Sequence, residues 1–271
     1  MRPGFRAKGS AMTDAAPAVP AKPSPFVGPA IVAAWIALGG LILSHPSGLA
    51  VFAFVMVGWI LAVMLHEFSH AAVAWLGGDH TVQTKGYLAF DPRRYADVGV
   101  SLVMPVIFLL LGGIGFPGGA VYLRNDLMRG PLWRMAASLA GPAATLLIFL
   151  GLSFGLAAWA NIGGGGAGAD SLFDALAMLA FLQAMALILN LLPIPGLDGF
   201  NAIRPFLPES LNPQLRKAEG VAMAALFLLL MFVPAFGGAL FRGAAFLCQV
   251  LGVPGSAIHD GWTAFHFWRR G

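Results

Sequence analysis

Two histidines and a glutamate stand together in an otherwise apolar stretch, His66-Glu67-Phe68-Ser69-His70. In a helix, residues four apart lie one turn apart on the same face, so His66 and His70 can grip one metal ion together. Glu67 lies beside that face and can take a proton from a water held there. Zinc is the usual ion for such a pair, and it lowers the pKa of its water to about 7. A bare string of this kind also arises by chance. Here the surroundings sharpen it, because one carboxylate and two imidazoles at membrane depth are costly and are functional by default.

Two histidines leave a catalytic zinc site one protein ligand short. His45, His80, His259 and His266 fall in apparent loops or in the tail and read as solvated or interfacial residues. The better candidate is Asp198, in Asn190-Leu191-Leu192-Pro193-Ile194-Pro195-Gly196-Leu197-Asp198-Gly199. Two prolines break the helix there. The freed backbone groups need a polar cavity or protein cover, and an acid just after the break can point into that cavity.

The elements that carry these residues are membrane spans. Hydrophobic residues make up 58% of the 271 positions and charged residues only 10%, with mean hydropathy +0.80. A soluble domain of this length carries about a quarter charged residues. Runs without Asp, Glu, Lys or Arg extend over 23–66, 98–123, 135–169 and 175–197, each at or beyond the ~20 residues that cross a bilayer core. The net charge of +4 is scattered between apolar runs, which argues against nucleic acid as a partner and for the lipid bilayer. The lone Cys248 excludes a disulfide framework and a cysteine-rich zinc site.

The apolar candidates are 26–44, 49–77, 98–116, 132–160, 171–193, 218–235 and 238–253. The last two are split by Pro234 and by Gly237-Gly238, and make either a hairpin or one broken helix. Residues 81–90 (Thr-Val-Gln-Thr-Lys-Gly-Tyr-Leu-Ala-Phe) have the look of a short strand or hairpin. The expected fold is an all-α polytopic membrane protein of about six transmembrane helices, with a re-entrant segment at 98–116 and a short β-like loop. Residues 1–25 form a polar, disordered cytoplasmic tail, 26–254 the membrane-embedded domain and 255–271 a C-terminal tail. The first apolar run reads as a retained anchor.

A His-Glu-x-x-His helix, then Ala140-Gly141-Pro142, then Asn-x-x-Pro-x-x-x-x-Asp-Gly from Asn190 to Gly199 resembles the site-2 protease family of intramembrane metalloproteases. The resemblance spans residues 49–205 and is to the minimal form, without a PDZ-like or CBS-like insert. It implies that His66, His70 and Asp198 bind one Zn2+ ion, that Glu67 is the base, and that Asn190 assists substrate or transition-state binding. Thr145 stands where the family's central helix carries Asn, and its hydroxyl can still donate a hydrogen bond to substrate. Tyr95 stands near the place where short relatives have a loop histidine. The implied partner is a transmembrane protein substrate; Ala and Gly richness and the minimal size point to a bacterial plasma membrane.

Topology constrains this reading. The ligands must meet at one depth, so the helices bearing His66/His70 and Asp198 must run parallel, with an odd number of full spans between them. Segment 98–116, interrupted by Pro105 and followed by a Gly-rich run, is the one expected to dip and return. With the N-terminus inside, Lys85, Arg93, Arg94, Arg124, Arg129, Arg134, Arg204, Arg216 and Lys217 all fall on the cytoplasmic side. The zinc then sits toward the cytoplasmic half. A metal transporter using the same cluster as a transit site, and a catalytically silent scaffold of the same family, are the rival readings.

Overall fold

The computed structural model describes residues 26–94, 122–162 and 165–269. These are helical, with no strand among the described residues. We number the helices α1 (Val27–Ser44), α2 (Gly48–Gly77), α3 (Thr81–Thr84), α4 (Pro131–Ile162), α5 (Ala167–Leu191), α6 (Asp198–Ile203), α7 (Asn212–Phe232), α8 (Pro234–Val250) and α9 (Gly255–Phe265). Tyr95 and the expected re-entrant segment 98–116 lie outside the described residues.

Helix α2 is 30 residues long and carries the histidine motif. Ser47 caps its start by accepting from the Ala50 N–H at 3.3 Å. Gly78 ends it in the left-handed region, at φ 118°, with its N–H on the carbonyls of Ala74 and Trp75. Glycine is needed there twice over, because a Cβ would also sit 2.9 Å from the Leu127 carbonyl oxygen. The chain then returns: Arg129 N–H donates to the Gly77 carbonyl at 2.9 Å and Arg124 N–H to the Asp79 carboxylate at 2.7 Å. Helix α4 therefore starts beside the end of α2.

Helix α5 is the centre of the bundle. It is apolar on every side and packs against α1, α2, α4, α8 and α9. It stops at Leu191 because Pro193 forces Leu192 into extended backbone, at φ −63° and ψ 140°. α2 and α5 thus run in the same direction, with α4 running back between them. That is the parallel pairing required for the ligands to meet.

Four described helices, α1, α2, α4 and α5, are long and apolar enough to cross a membrane, and a fifth span arises if the bent α7–α8 pair counts as one. About six were expected. The difference lies in that pair, which bends by 88° at Val233–Pro234, so two apolar segments supply one candidate crossing. Large apolar side chains such as Ile36, Leu147 and Phe154 are more than half exposed, which suits a lipid surface and not water.

The β-like loop at 81–90 is corrected. Asp79 Oδ1 accepts from the Thr81 N–H at 3.1 Å and from Thr81 Oγ1 at 2.6 Å, which starts the helical turn α3. Gly86, at φ 79°, closes a run of turns behind it. The β-branched residues spell a strand only if a partner strand pairs with them, and Val82 and Tyr87 are instead buried against α2 and its surroundings. Residues 255–265, read from sequence as tail, form α9. Ala257, Gly261 and Phe265 are its buried face, packed on α5 and α2.

Candidate metal centre

His66 and His70 emerge from the buried face of α2, 8% and 6% exposed. Asp198 opens α6, directly after the double-proline break. The break turns the chain back so that Asp198 Oδ2 lies 3.1 Å from His66 Nε2, and Oδ1 3.4 Å from His70 Nε2. The two Nε2 atoms are 3.0 Å apart. Among the described residues this is the one group of three His, Cys, Asp or Glu whose ligand atoms converge, all within 4.8 Å. His45, His80, His259 and His266 do not join it.

The far side of each ring decides what the near side can do. His70 Nδ1 is 2.7 Å from the Ala137 carbonyl oxygen, which can only accept, so Nδ1 carries the proton. His66 Nδ1 lies 2.9 Å from Thr145 Oγ1. When Thr145 Oγ1 accepts from His66 Nδ1–H, as the Ala137 carbonyl does from His70, both Nε2 atoms turn lone pairs toward each other and toward a carboxylate. Three acceptors at such distances repel unless a cation lies among them, so the donor set fits a metal ion. His₂Asp is a borderline N/O set of the kind that suits zinc.

Helix α4 comes close enough to close this site because it lacks a side chain at the contact. A Cβ on Gly141 would lie 2.2 Å from His70 Nε2 and 2.5 Å from His66 Nε2. Pro142, next in the chain, removes the N–H that would bond the Ser138 carbonyl and loosens α4 at this level.

Glu67 is 3% exposed and lines the same cavity as His66, His70 and Asp198. That cavity has a volume of about 890 Å³. Its mouth is polar, with exposed Asn125, Asp126, Glu209 and Arg216. Arg124 donates to both carboxylate oxygens of Asp126, at 2.9 and 2.7 Å, and this pairing holds the Asp126 carboxyl down to about 2. Asn190, 6% exposed, lines the wall. Thr145 also lines it, but its hydroxyl meets the back of the His66 ring, a contact the sequence did not suggest. Sequence reasoning also missed the Ala137 carbonyl, a backbone group with no side-chain signature. It missed the Arg204 Nη1–Glu219 Oε1 pair as well, which at 2.6 Å ties the chain after α6 to α7.

The chain is 40% identical over 242 residues to a Mycolicibacterium smegmatis protein named "Putative zinc metalloprotease Rip2", and the match covers 87% of both. It is also 40% identical over 230 residues to the protein of that name from Mycobacterium tuberculosis, covering 80% of this chain and 82% of the relative. A Bacillus subtilis protein, "Putative zinc metalloprotease YwhC", is 26% identical over 194 residues, 69% of this chain and 83% of the relative. No family model matches the chain, and no solved structure matches it. Identity at this level over nearly the whole of both chains is kinship, and the relatives' names agree with a donor set that asks for a cation: the chain belongs to the site-2 protease family of zinc metalloproteases, and it is a membrane protein whose metal is zinc.

Proposed function

We propose that the protein is an endopeptidase that hydrolyses a peptide bond within or beside a transmembrane segment of a membrane-protein substrate. His66, His70 and Asp198 hold the zinc, and Glu67 is the general base. The observation that carries this reading is the convergence of the three ligand atoms within 4.8 Å, beside a buried glutamate in a cavity among apolar helices.

Zinc held by these residues supplies Lewis acidity, polarising a carbonyl and acidifying water. The protein does the rest. Ala137 and Thr145 hold the imidazoles by their outer nitrogens, so that both rings keep one orientation through the reaction. Glu67, one residue from His66, takes a proton from the attacking water and later returns one to the leaving amine. Asn190 contributes an amide to substrate or to the developing oxyanion. The apolar helices around the cavity limit bulk water, which strengthens each of these interactions.

The working membrane is the cell membrane, with the N-terminus inside and the site toward the cytoplasmic half. Support comes from the basic residues at the bundle end where α2 stops: Lys85 Nζ donates to the Tyr122 carbonyl, and Arg124 and Arg129 pack beside the α2 terminus. A cysteine at position 124 that reacted only with external, membrane-impermeant reagents would overturn this orientation.

The primary test compares detergent-purified wild type with Glu67→Gln and Asp198→Ala, measuring zinc content and cleavage of a model transmembrane substrate. Glu67→Gln should keep its zinc and lose at least 10²-fold in rate. Asp198→Ala should lose both. A well-folded wild type that holds no zinc would sink the proposal.

A further inference from the structure

The cavity continues past the metal cluster. Along α2 its lining runs back from His66 through Val63 and Ala62 to Trp59, and along α5 from Asn190 through Ala186 to Gln183. Both series follow the spacing of one helical face, so each is a stripe turned toward the same space. Seven residues are two turns, which puts Trp59 and Gln183 about 10 Å beyond His66 and Asn190 along their helices. α2 and α5 pack against each other, so the two stripes are opposite walls of one recess.

Trp59 and Gln183 close the far end of that recess, and each carries a buried donor with no hydrogen-bond partner among the described residues. Trp59 is 2% exposed and Gln183 1%. The donors are the indole Nε1 and the amide Nε2. Buried polar groups are paired in nearly all native proteins, and unpaired ones at membrane depth are costlier still. An indole can only donate, whereas a glutamine amide can donate and accept. The recess is therefore shaped for a guest that is apolar along its sides and brings a carbonyl at its far end.

An unwound transmembrane peptide is such a guest. When a helix opens for cleavage, its carbonyls and N–H groups lose their partners where little water can replace them. A strand edge is the usual way to pair them, but residues 81–90 form a helical turn followed by further turns, and not a strand. Three residues of extended chain reach about 10 Å, which matches the rise along α2 from His66 back to Trp59.

We propose that Trp59 and Gln183 form a deep subsite for the unwound backbone of the substrate, about three residues from the scissile bond. Trp59 Nε1–H donates to a substrate carbonyl, and the Gln183 amide pairs with a neighbouring peptide group. This assignment rests on the protease reading above.

The test uses the full-length, zinc-loaded protein and hydroxamate probes. Acetohydroxamate grips the metal alone. Two apolar tripeptide hydroxamates, one with the hydroxamate at its C-terminus and one at its N-terminus, add a backbone arm in either chain direction. Affinities are measured for wild type, Gln183→Leu and Trp59→Phe, the last of which keeps an aromatic ring and removes the N–H. The expected result is that one tripeptide binds wild type more tightly than acetohydroxamate does. Each substitution should then weaken that tripeptide roughly three- to tenfold and leave acetohydroxamate unchanged. A tripeptide advantage that is absent in wild type, or equal in all three proteins, would overturn the subsite and leave the protease reading intact. Equal weakening of both probes would also overturn it, by making the two residues supports of the metal cluster. Failure of acetohydroxamate to bind zinc-loaded wild type would instead remove the metalloprotease reading, and the subsite with it.

Discussion

The two halves of the candidate metal centre are built in opposite ways. His66 and His70 come from the middle of an unbroken 30-residue helix, and their separation is fixed by the helical repeat. Asp198 comes from a chain broken by Pro193 and Pro195 and restarted as the six-residue α6. The first half is rigid because α4 clamps it, through Ala137, Gly141 and Thr145. The second half is placed by a turn and then tethered at a distance by Arg204 and Glu219. A continuous helix suits a metal pair that must not change its spacing. A broken one suits a ligand that must approach from another element and leave room for substrate beside it.

The sharpest way to break this comparison is at the clamp. Gly141→Ala puts a methyl group into the space the Nε2 atoms share, so zinc content should fall to near zero, read by elemental analysis of folded protein. Normal zinc in that variant would mean that α4 does not close the site. Thr145→Val keeps the shape of the side chain and removes the hydroxyl behind His66. Zinc affinity should drop about 10- to 100-fold, the usual cost of losing an outer partner of a ligating histidine, as titration with a competing chelator would show. Glu219→Gln should have the smallest effect, a few-fold loss of cleavage rate with zinc retained, because the pair is partly exposed and lies outside the ligand set. Zinc loss in Glu219→Gln as large as in Gly141→Ala would erase the distinction between a clamped half and a tethered half.

The same contrast explains what the sequence made legible. The histidine pair could be read because its chemistry depends on a period that any helix supplies. Asp198 could be read because a double proline in an apolar run marks a deliberate break. Thr145 was picked out for substrate, but its hydroxyl faces the His66 ring, and only the approach of α4 to α2 reveals that. Ala137 acts through its carbonyl and has no side-chain signal at all. Residues 81–90 misled because strand-forming residues such as Thr81, Val82 and Tyr87 make a strand only when another strand arrives to pair with them. The helix at 255–265 was hidden by Ser256, His259 and Asp260, although Ala257, Gly261 and Phe265 recur every four residues and mark its buried stripe. The bent α7–α8 pair was open in the sequence between hairpin and broken helix, and the 88° bend makes it a broken span or a re-entrant loop.

The length of α2 has a consequence of its own. Thirty residues of helix measure about 45 Å, well beyond the roughly 30 Å of a bilayer's hydrocarbon layer. A helix that is too long for its bilayer leans, and the lean grows as the lipid layer thins. His66 and His70 lie about 27 and 33 Å along that rod from its start at Gly48, so their distance from either lipid headgroup plane would follow the lean. If the proposed function holds, lipid chain length would shift which bond of a substrate helix comes level with the zinc, an effect that cleavage-site mapping in bilayers of different thickness would read.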